Sequence, residues 1–375
     1  MMTERERLMA ILGHKSPDRI PWIPRMDIWH RARISQGTLP ERFNGMSLRE
    51  VEKALGMGTP ARDGRVYRSE YRNVDVVVRE EGRNTITEYI TPRGTLRSVQ
   101  GVSKGQASAG IIGKHPVEFP LKTEKDYRVW MYVLENTVFV PTYEEYRAYD
   151  REVGDDGLPI VGVGDVPFHW WLQALVGYEN GYLHLADFRD TVDALLKAMA
   201  EKDREMWKLV AESPARLVLH GLHLSSQFTP PRYFDRYITP YYKEFTKVLH
   251  AVGKSLAMHA DNDTSAILGR LKEAGFDMVE CFVTTPMVKT TLKEARDAWG
   301  TSIIIWGGVP SVILEESYPE RQFEAYMRDL FRTIAPGDAF IMGIADNAMG
   351  TSMLSRVERI TEMVERYGCY PVKGW

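Results

Sequence analysis

The 375-residue sequence predicts an α/β fold: a closed, parallel (β/α)8 barrel with an antiparallel β-meander inserted near the N-terminus. Three observations point there. From about residue 125 onward, short apolar runs alternate with amphipathic stretches at strand–helix spacing, the pattern of parallel strands joined by right-handed crossovers. Residues 66–104 instead mix polar and β-branched residues between turn signals. No Gly-x-Gly-x-x-Gly follows a strand and no Walker loop is present, which favours a barrel over an open nucleotide-binding sheet. The expected organisation is one barrel domain over 1–375, with 66–104 as the insertion.

Taken in order, residues 3–13 predict a helix, capped by Thr3, with Leu8, Ile11 and Leu12 on its apolar face. Lys15-Ser-Pro-Asp-Arg-Ile-Pro21 is a turn into the short extended segment Ile20-Pro-Trp-Ile-Pro24. Residues 25–60 read as short helices around Trp29 and Val51–Leu55. Four runs follow, at Val66-Tyr-Arg-Ser-Glu-Tyr, Val74-Asp-Val-Val-Val-Arg, Asn84-Thr-Ile-Thr-Glu-Tyr-Ile and Gly94-Thr-Leu-Arg-Ser-Val, with Gly82 and Pro92-Arg-Gly94 as turns. The barrel strands fall at 159–163, 216–219, 255–258, 278–282, 302–306 and 340–344. The clearest helices are 231–252 and 351–367; the second places Leu354, Val357, Ile360 and Val364 on one face and stops at Gly368.

Composition is that of an ordinary globular protein, with 44% hydrophobic and 26% charged residues. A net charge of −3 gives no reason to expect nucleic acid or an anionic membrane as partner. Two cysteines, Cys281 and Cys369, exclude a disulfide framework and fit a reducing cytoplasm. The charged N-terminus has no apolar signal core behind it, and no run approaches the roughly 20 apolar residues of a membrane span.

Chemistry concentrates where strands end. Ser255-Leu-Ala-Met-His-Ala-Asp-Asn-Asp263 places His259 and Asp261 at the end of one strand, with Asp263 or Thr264 as a cap for the next helix. Phe276-Asp-Met-Val-Glu-Cys-Phe282 carries Glu280 and Cys281, and Asp346 ends the last strand. In a parallel barrel these ends share one face, where such folds keep their sites. Strand alternation lets only one of Glu280 and Cys281 face inward. His220 and His223 follow another strand and can reach the same mouth as substrate ligands or general acids. Phe168-His-Trp-Trp171 offers Trp170 or Trp171 to flank a substrate, with His169 beside them. Trp306 reads as filler of the barrel interior.

Several stretches, in order, resemble the uroporphyrinogen decarboxylase superfamily. They are Thr3-Glu-Arg-Glu-Arg-Leu-Met-Ala-Ile-Leu-Gly-His-Lys-Ser-Pro-Asp-Arg-Ile-Pro21, Pro240-Tyr-Tyr-Lys-Glu, His259-Ala-Asp261, Trp306-Gly-Gly-Val-Pro310 and Pro336-Gly-Asp-Ala-Phe-Ile341. The resemblance implies a TIM-like barrel. The decarboxylases carry an arginine-rich stretch of the type Arg-Gln-Ala-Gly-Arg; here Pro24-Arg-Met-Asp-Ile-Trp29 keeps one arginine, Arg25, as a substrate-binding candidate. The resemblance therefore points to the branch of corrinoid-dependent zinc methyltransferases, whose pattern is His-x-Cys after one strand and Cys after the last. This chain keeps the frame with carboxylates, His259-x-Asp261 and Asp346, and Glu280 or Cys281 can complete the set.

What the resemblance implies is an O-demethylase component. Zn²⁺ held by His259, Asp261, Glu280 or Cys281, and Asp346 would activate a methyl ether as a Lewis acid, a methoxylated aromatic being one such donor. His259, Asp261 and Glu280 are the catalytic expectation. The methyl would pass to the cob(I)alamin of a separate corrinoid protein, since this chain has no Asp-x-His-x-x-Gly motif. Crowded carboxylates without a cation repel, which also argues for the metal. A homodimer is the expected assembly. The alternatives are a decarboxylase acting on porphyrinogen or a smaller acid, and a non-enzymatic corrinoid-protein partner with a decayed metal site.

Overall fold

A computed structural model describes residues 1–221, 224–226 and 228–374. The chain opens with the helix Glu4–Leu12. The Thr3 hydroxyl accepts from the Glu6 amide and the Glu6 carboxylate accepts from the Thr3 amide, so two of the amides that a helix start leaves open are satisfied. Its inner face, Leu8 and Ile11, is buried against the barrel interior.

Antiparallel strands come next: β1 (Tyr67–Tyr71), β2 (Asp75–Glu81), β3 (Asn84–Thr91), β4 (Gly94–Gly101), β5 (His115–Glu118) and β6 (Thr137–Pro141). β2 to β5 pair in sequence order as a four-stranded sheet, whereas β1 leaves that group and pairs with β6. The β-branched run Thr137-Val-Phe-Val, which the sequence reading passes over, gives β1 its partner. Ile86, Leu96 and Val99 of the four-stranded sheet are buried, and Tyr89 meets Trp130 of the helix Glu124–Glu135 edge-on at 5.3 Å.

Six parallel strands form the body: β7 (Ile160–Gly162), β8 (Leu217–Leu219), β9 (Ser255–His259), β10 (Met278–Phe282), β11 (Ile304–Pro310) and β12 (Phe340–Ala345). Their spatial order is their sequence order. Two irregular segments extend this sheet toward closure. Residues 20–24 run beside β12, the Ile23 amide donating to the Met342 carbonyl and the Met342 amide to the Pro21 carbonyl. Residues 57–64 lie between that segment and β7: Gly58 donates to Trp22, Ile160 donates to Ala61, and Gly64 bridges Val161 in parallel. The result is a TIM-like barrel with six regular strands and two broken ones. Pro21, Pro24 and Pro60 have no N–H to give, so the ladders there stay incomplete.

This corrects the reading of residues 25–60. The helices Asp27–Ser35 and Leu48–Ala54 form, but the chain beyond Leu55 extends as a barrel member. The helix after β9 also begins later than expected, at Leu268, because Ser265 and Thr290 engage the Asp263 carboxylate in a turn. Alternation along the strands separates two cores. Ile160, Leu217, Leu219, Ala257, Ile304 and Trp306 fill the barrel, and a larger cluster packs between sheet and helices. Among the described residues, no helix is long and apolar enough to cross a membrane.

A candidate metal centre at the carboxyl ends of the strands

β9 and β10 pair with Ala257 opposite Met278 and His259 opposite Glu280. Ala257 and Met278 belong to the barrel interior, so His259 and Glu280, two residues further on, point the same way. His259 Nδ1 lies 2.6 Å from Glu280 Oε2. The other ring nitrogen, Nε2, lies 3.4 Å from Asp346 Oδ1 and 3.5 Å from Asp261 Oδ2. His259 and Glu280 are 3% and 1% exposed, so solvent does little to screen the pair.

Strand alternation would admit only Glu280 or Cys281, and the structure corrects this. The β10–β11 register shifts between Val279 and Phe282, and Cys281 takes φ +53°, a bulge that turns both side chains to the cluster. Cys281 Sγ stands 3.1 Å from Glu280 Oε1 and 3.4 Å from the Asp346 carbonyl. Gly307 on β11 makes the bulge possible. It sits at φ +146°, and a Cβ there would fall 2.6 Å from both the amide nitrogen and the carbonyl oxygen of Phe282.

Two arginines close the cluster. Arg25, just past the segment 20–24, pairs with Asp346 and places Nη1 3.7 Å from Cys281 Sγ. Arg62, from the segment 57–64, pairs with Glu280 and places Nη1 3.5 Å from both Cys281 Sγ and His259 Nδ1. Arg62 was not among the expected site residues. Gly58, Pro60 and Gly64 around it were the available sign that this stretch is not helical.

Burial would raise the Glu280 carboxyl, but Arg62 and His259 outweigh it and hold the group well below the usual carboxylate range. Burial likewise opposes a charge on His259, yet the carboxylates of Glu280 and Asp261 hold the imidazolium well above the ordinary histidine value. The Cys281 thiol is pushed up to about 12 by burial and by the Glu280 charge. Arg25, Arg62 and a protonated His259 thus balance Asp261, Glu280 and Asp346. Repulsion among the acids, the ground given for a cation in the sequence, is answered by the protein itself.

The donor set is the better ground. Among the described residues, His259, Cys281 and Asp346 form a possible metal site, their ligand atoms all within 4.8 Å of one another. Imidazole nitrogen, thiolate sulfur and carboxylate oxygen are the three donor types zinc accepts, and three protein ligands leave a position open. Glu280 meets His259 on Nδ1, the edge away from Asp346, and so stands as a partner of the histidine rather than a member of this trio. Asp261 is half-buried at the rim.

The other expected residues fall elsewhere. His220 points out of the barrel, its ring bonded to the Tyr242 hydroxyl at 3.0 Å and stacked on Tyr241, and burial pushes it down to about 4. His223 lies outside the described residues. Trp171 is core, donating to the Tyr127 hydroxyl, and Trp170 is 43% exposed. His169 is buried against Asp165 at 2.7 Å.

A cavity of about 910 Å³ adjoins the cluster and shares Arg25 and Arg62 with it. Its wall also holds Arg31, Arg49, Glu52 and Tyr149, and neither Trp170 nor Trp171. Burial pushes the Glu52 carboxyl up to about 8, against the Thr59 hydroxyl that donates to it at 2.7 Å.

The model of the uroporphyrinogen decarboxylase family (URO-D) matches residues 120–367. Among solved structures, a methyltransferase from Methanosarcina mazei shares the fold, with TM-score 0.57, 13% identity, and coverage of 98% of this chain and 99% of that one. Looser likenesses are a GH5-4 broad-specificity endoglucanase from an uncultured bacterium (TM-score 0.32, 9% identity, 59% of this chain and 74% of that one) and a D-psicose 3-epimerase (TM-score 0.31, 11% identity, 59% and 91%). No curated protein matches the sequence.

Proposed function

Because this chain belongs to the uroporphyrinogen decarboxylase family, whose model covers residues 120–367, we propose that it is a methyltransferase of that superfamily. Its methyl donor would be a methyl ether, and the acceptor would be cob(I)alamin carried by a separate corrinoid protein. The observation that carries this reading is the trio His259, Cys281 and Asp346, a nitrogen–sulfur–oxygen donor set at the mouth of the barrel. The full-length likeness in fold to a methyltransferase agrees with it.

The chain's own residues have definite tasks. His259, Cys281 and Asp346 would hold Zn²⁺, which when bound supplies a Lewis acid for the heteroatom that loses the methyl group. Glu280 accepts the Nδ1 proton of His259 and so fixes the ring with Nε2 facing Asp346. Arg62 holds Glu280 in that position from its other oxygen, and Arg25 holds Asp346. Burial of His259, Glu280 and Cys281 keeps bulk water from the cluster. The polar cavity beside it receives the donor.

The test is methyl transfer to cob(I)alamin, followed by the absorbance of methylcobalamin, with methoxylated aromatics, methylamines and methyl thiols as donors. Formation from ethers supports the reading, and no transfer from any donor rejects it. Decarboxylation of an acid is the second reading, favoured by the arginines of the cavity wall. Release of CO₂ without loss of methyl would select it.

A further inference from the structure

The four-stranded sheet has two edges, and they differ. At one edge β5 carries Pro116, and its register with β4 shifts between Val99 and Gln100; both features keep a further strand from pairing there. At the other edge β2 has neither. Its seven residues run opposite β3 without a break, from Asp75 facing Ile90 to Glu81 facing Asn84. The turn at Gly82 and Arg83 closes on Glu81 and Asn84 as a hydrogen-bonded pair. Alternation then directs the amides and carbonyls of Asp75, Val77, Arg79 and Glu81 to β3, and those of Val76, Val78 and Glu80 away from it. Among the described residues, no other strand and no loop backbone bonds to those outward groups.

The side chains of this edge do not guard it. Val78 is 59% exposed. Two of the charges that would repel another strand are tied to the chain's own residues, Arg79 to Glu88 of β3 at 3.0 Å and Glu80 to Lys114 at 2.7 Å. The edge is also self-complementary in one register. A strand that pairs antiparallel with its own copy does so about a two-fold axis through one residue. With the axis through Val78, Asp75 would face Glu81 of the second copy, acid against acid. With the axis through Val76, the pairing would run into the bend at 72–73. With the axis through Val77, Asp75 faces Arg79 on both sides, and Val76 exchanges backbone bonds with Val78 of the second copy.

We infer that β2 is a dimer interface: it pairs antiparallel with β2 of a second copy of this chain about an axis through Val77, which joins the two four-stranded sheets into one. The unbroken free edge, the charge match of Asp75 with Arg79 and the exposed valine carry this, and it does not rest on the methyltransferase reading.

Sedimentation velocity of the full chain across micromolar concentrations should show a dimer. Val78→Pro removes an outward N–H and no bond to β3, so it should give a monomer with unchanged circular dichroism. Asp75→Lys sets like charges face to face and should weaken the dimer severalfold, and adding Arg79→Asp should recover part of the loss; this pair carries the test if Val78→Pro does not fold. In a Cys369→Ser background, Val77→Cys should cross-link two chains under mild oxidation and Val78→Cys should not, since only residue 77 meets its own copy. A chain that stays monomeric, whether its edge is free or takes a strand of another protein, overturns the inference. So does a dimer that survives both Val78→Pro and Asp75→Lys, or one that cross-links at residue 78 and not at residue 77.

Discussion

Glu280 Oε2 stands 2.6 Å from His259 Nδ1, on the side of the ring away from Asp346. The pair faces each other across β9 and β10 at the same register position, so the sheet itself sets the contact. Partners of this kind to a ligating histidine fix its ring and raise its basicity.

Glu280→Ala should weaken zinc binding by roughly 10- to 100-fold without changing the ligand set, and Glu280→Gln should recover part of the loss. Competition with a chromophoric chelator gives the affinity, and the ligand-field spectrum of the cobalt-substituted protein gives the set. A cobalt spectrum that loses an oxygen ligand in Glu280→Ala would make Glu280 a ligand instead.

Cys281→Ser should abolish the near-ultraviolet sulfur-to-metal charge-transfer band of the cobalt protein. The thiol, held up to about 12 by burial and the Glu280 charge, is protonated near neutral pH, and so is the His259 ring, so ion uptake should release two protons, one as the thiolate forms and one from His259 Nε2. A band that survives the substitution removes sulfur from the site.

Gly307→Ala should destabilise the fold by about 2–4 kcal/mol, since its Cβ would fall 2.6 Å from the Phe282 backbone at a φ that disfavours side chains. The cost should come with loss of the Cys281 band, because the bulge aims that residue. Urea unfolding and the cobalt spectrum together check both; a stable variant with the band intact would mean the bulge does not need this glycine.

Glu52 has a folded-state pKa of about 8, above the unfolded value near 4.3. The buried neutral carboxyl therefore adds stability in full below about pH 4.3, and that contribution is lost as pH rises to about 8. The slope in that window is on the order of 1.4 kcal/mol per pH unit. Glu52→Gln should lack this slope, so its stability relative to the parent should grow with pH and level off above about 8. Denaturant midpoints between pH 5 and 9 measure it; parallel curves for the two proteins would show that Glu52 is ionised in the fold.

Much of this was legible before the fold was seen. Buried parallel strands are apolar on both faces, so β7 to β12 stand out as runs, and their polar ends mark His259, Glu280 and Asp346. Arg62 was hidden because Pro60, with Gly58 and Gly64, left no strand signature around it. The joint presence of Glu280 and Cys281 was hidden because alternation holds only for a regular strand; the paired Gly307 and Gly308 were the trace of the bulge. His220 misled because a strand-end histidine can point toward the helices as readily as toward the mouth. Of Trp170 and Trp171, adjacent in a helical segment, Trp171 turns into the core, where its indole donates to the Tyr127 hydroxyl.

Methyl transfer should depend on a metal at His259, Cys281 and Asp346. Chelator-stripped protein given a methyl ether and cob(I)alamin, and titrated with Zn²⁺ while methylcobalamin formation is followed by absorbance, measures that dependence. The rate should climb from near zero to a break at about one zinc per chain, as a single site with three protein ligands requires, and should stay flat for His259→Ala. A stripped protein that transfers methyl as fast as the reloaded one would contradict it.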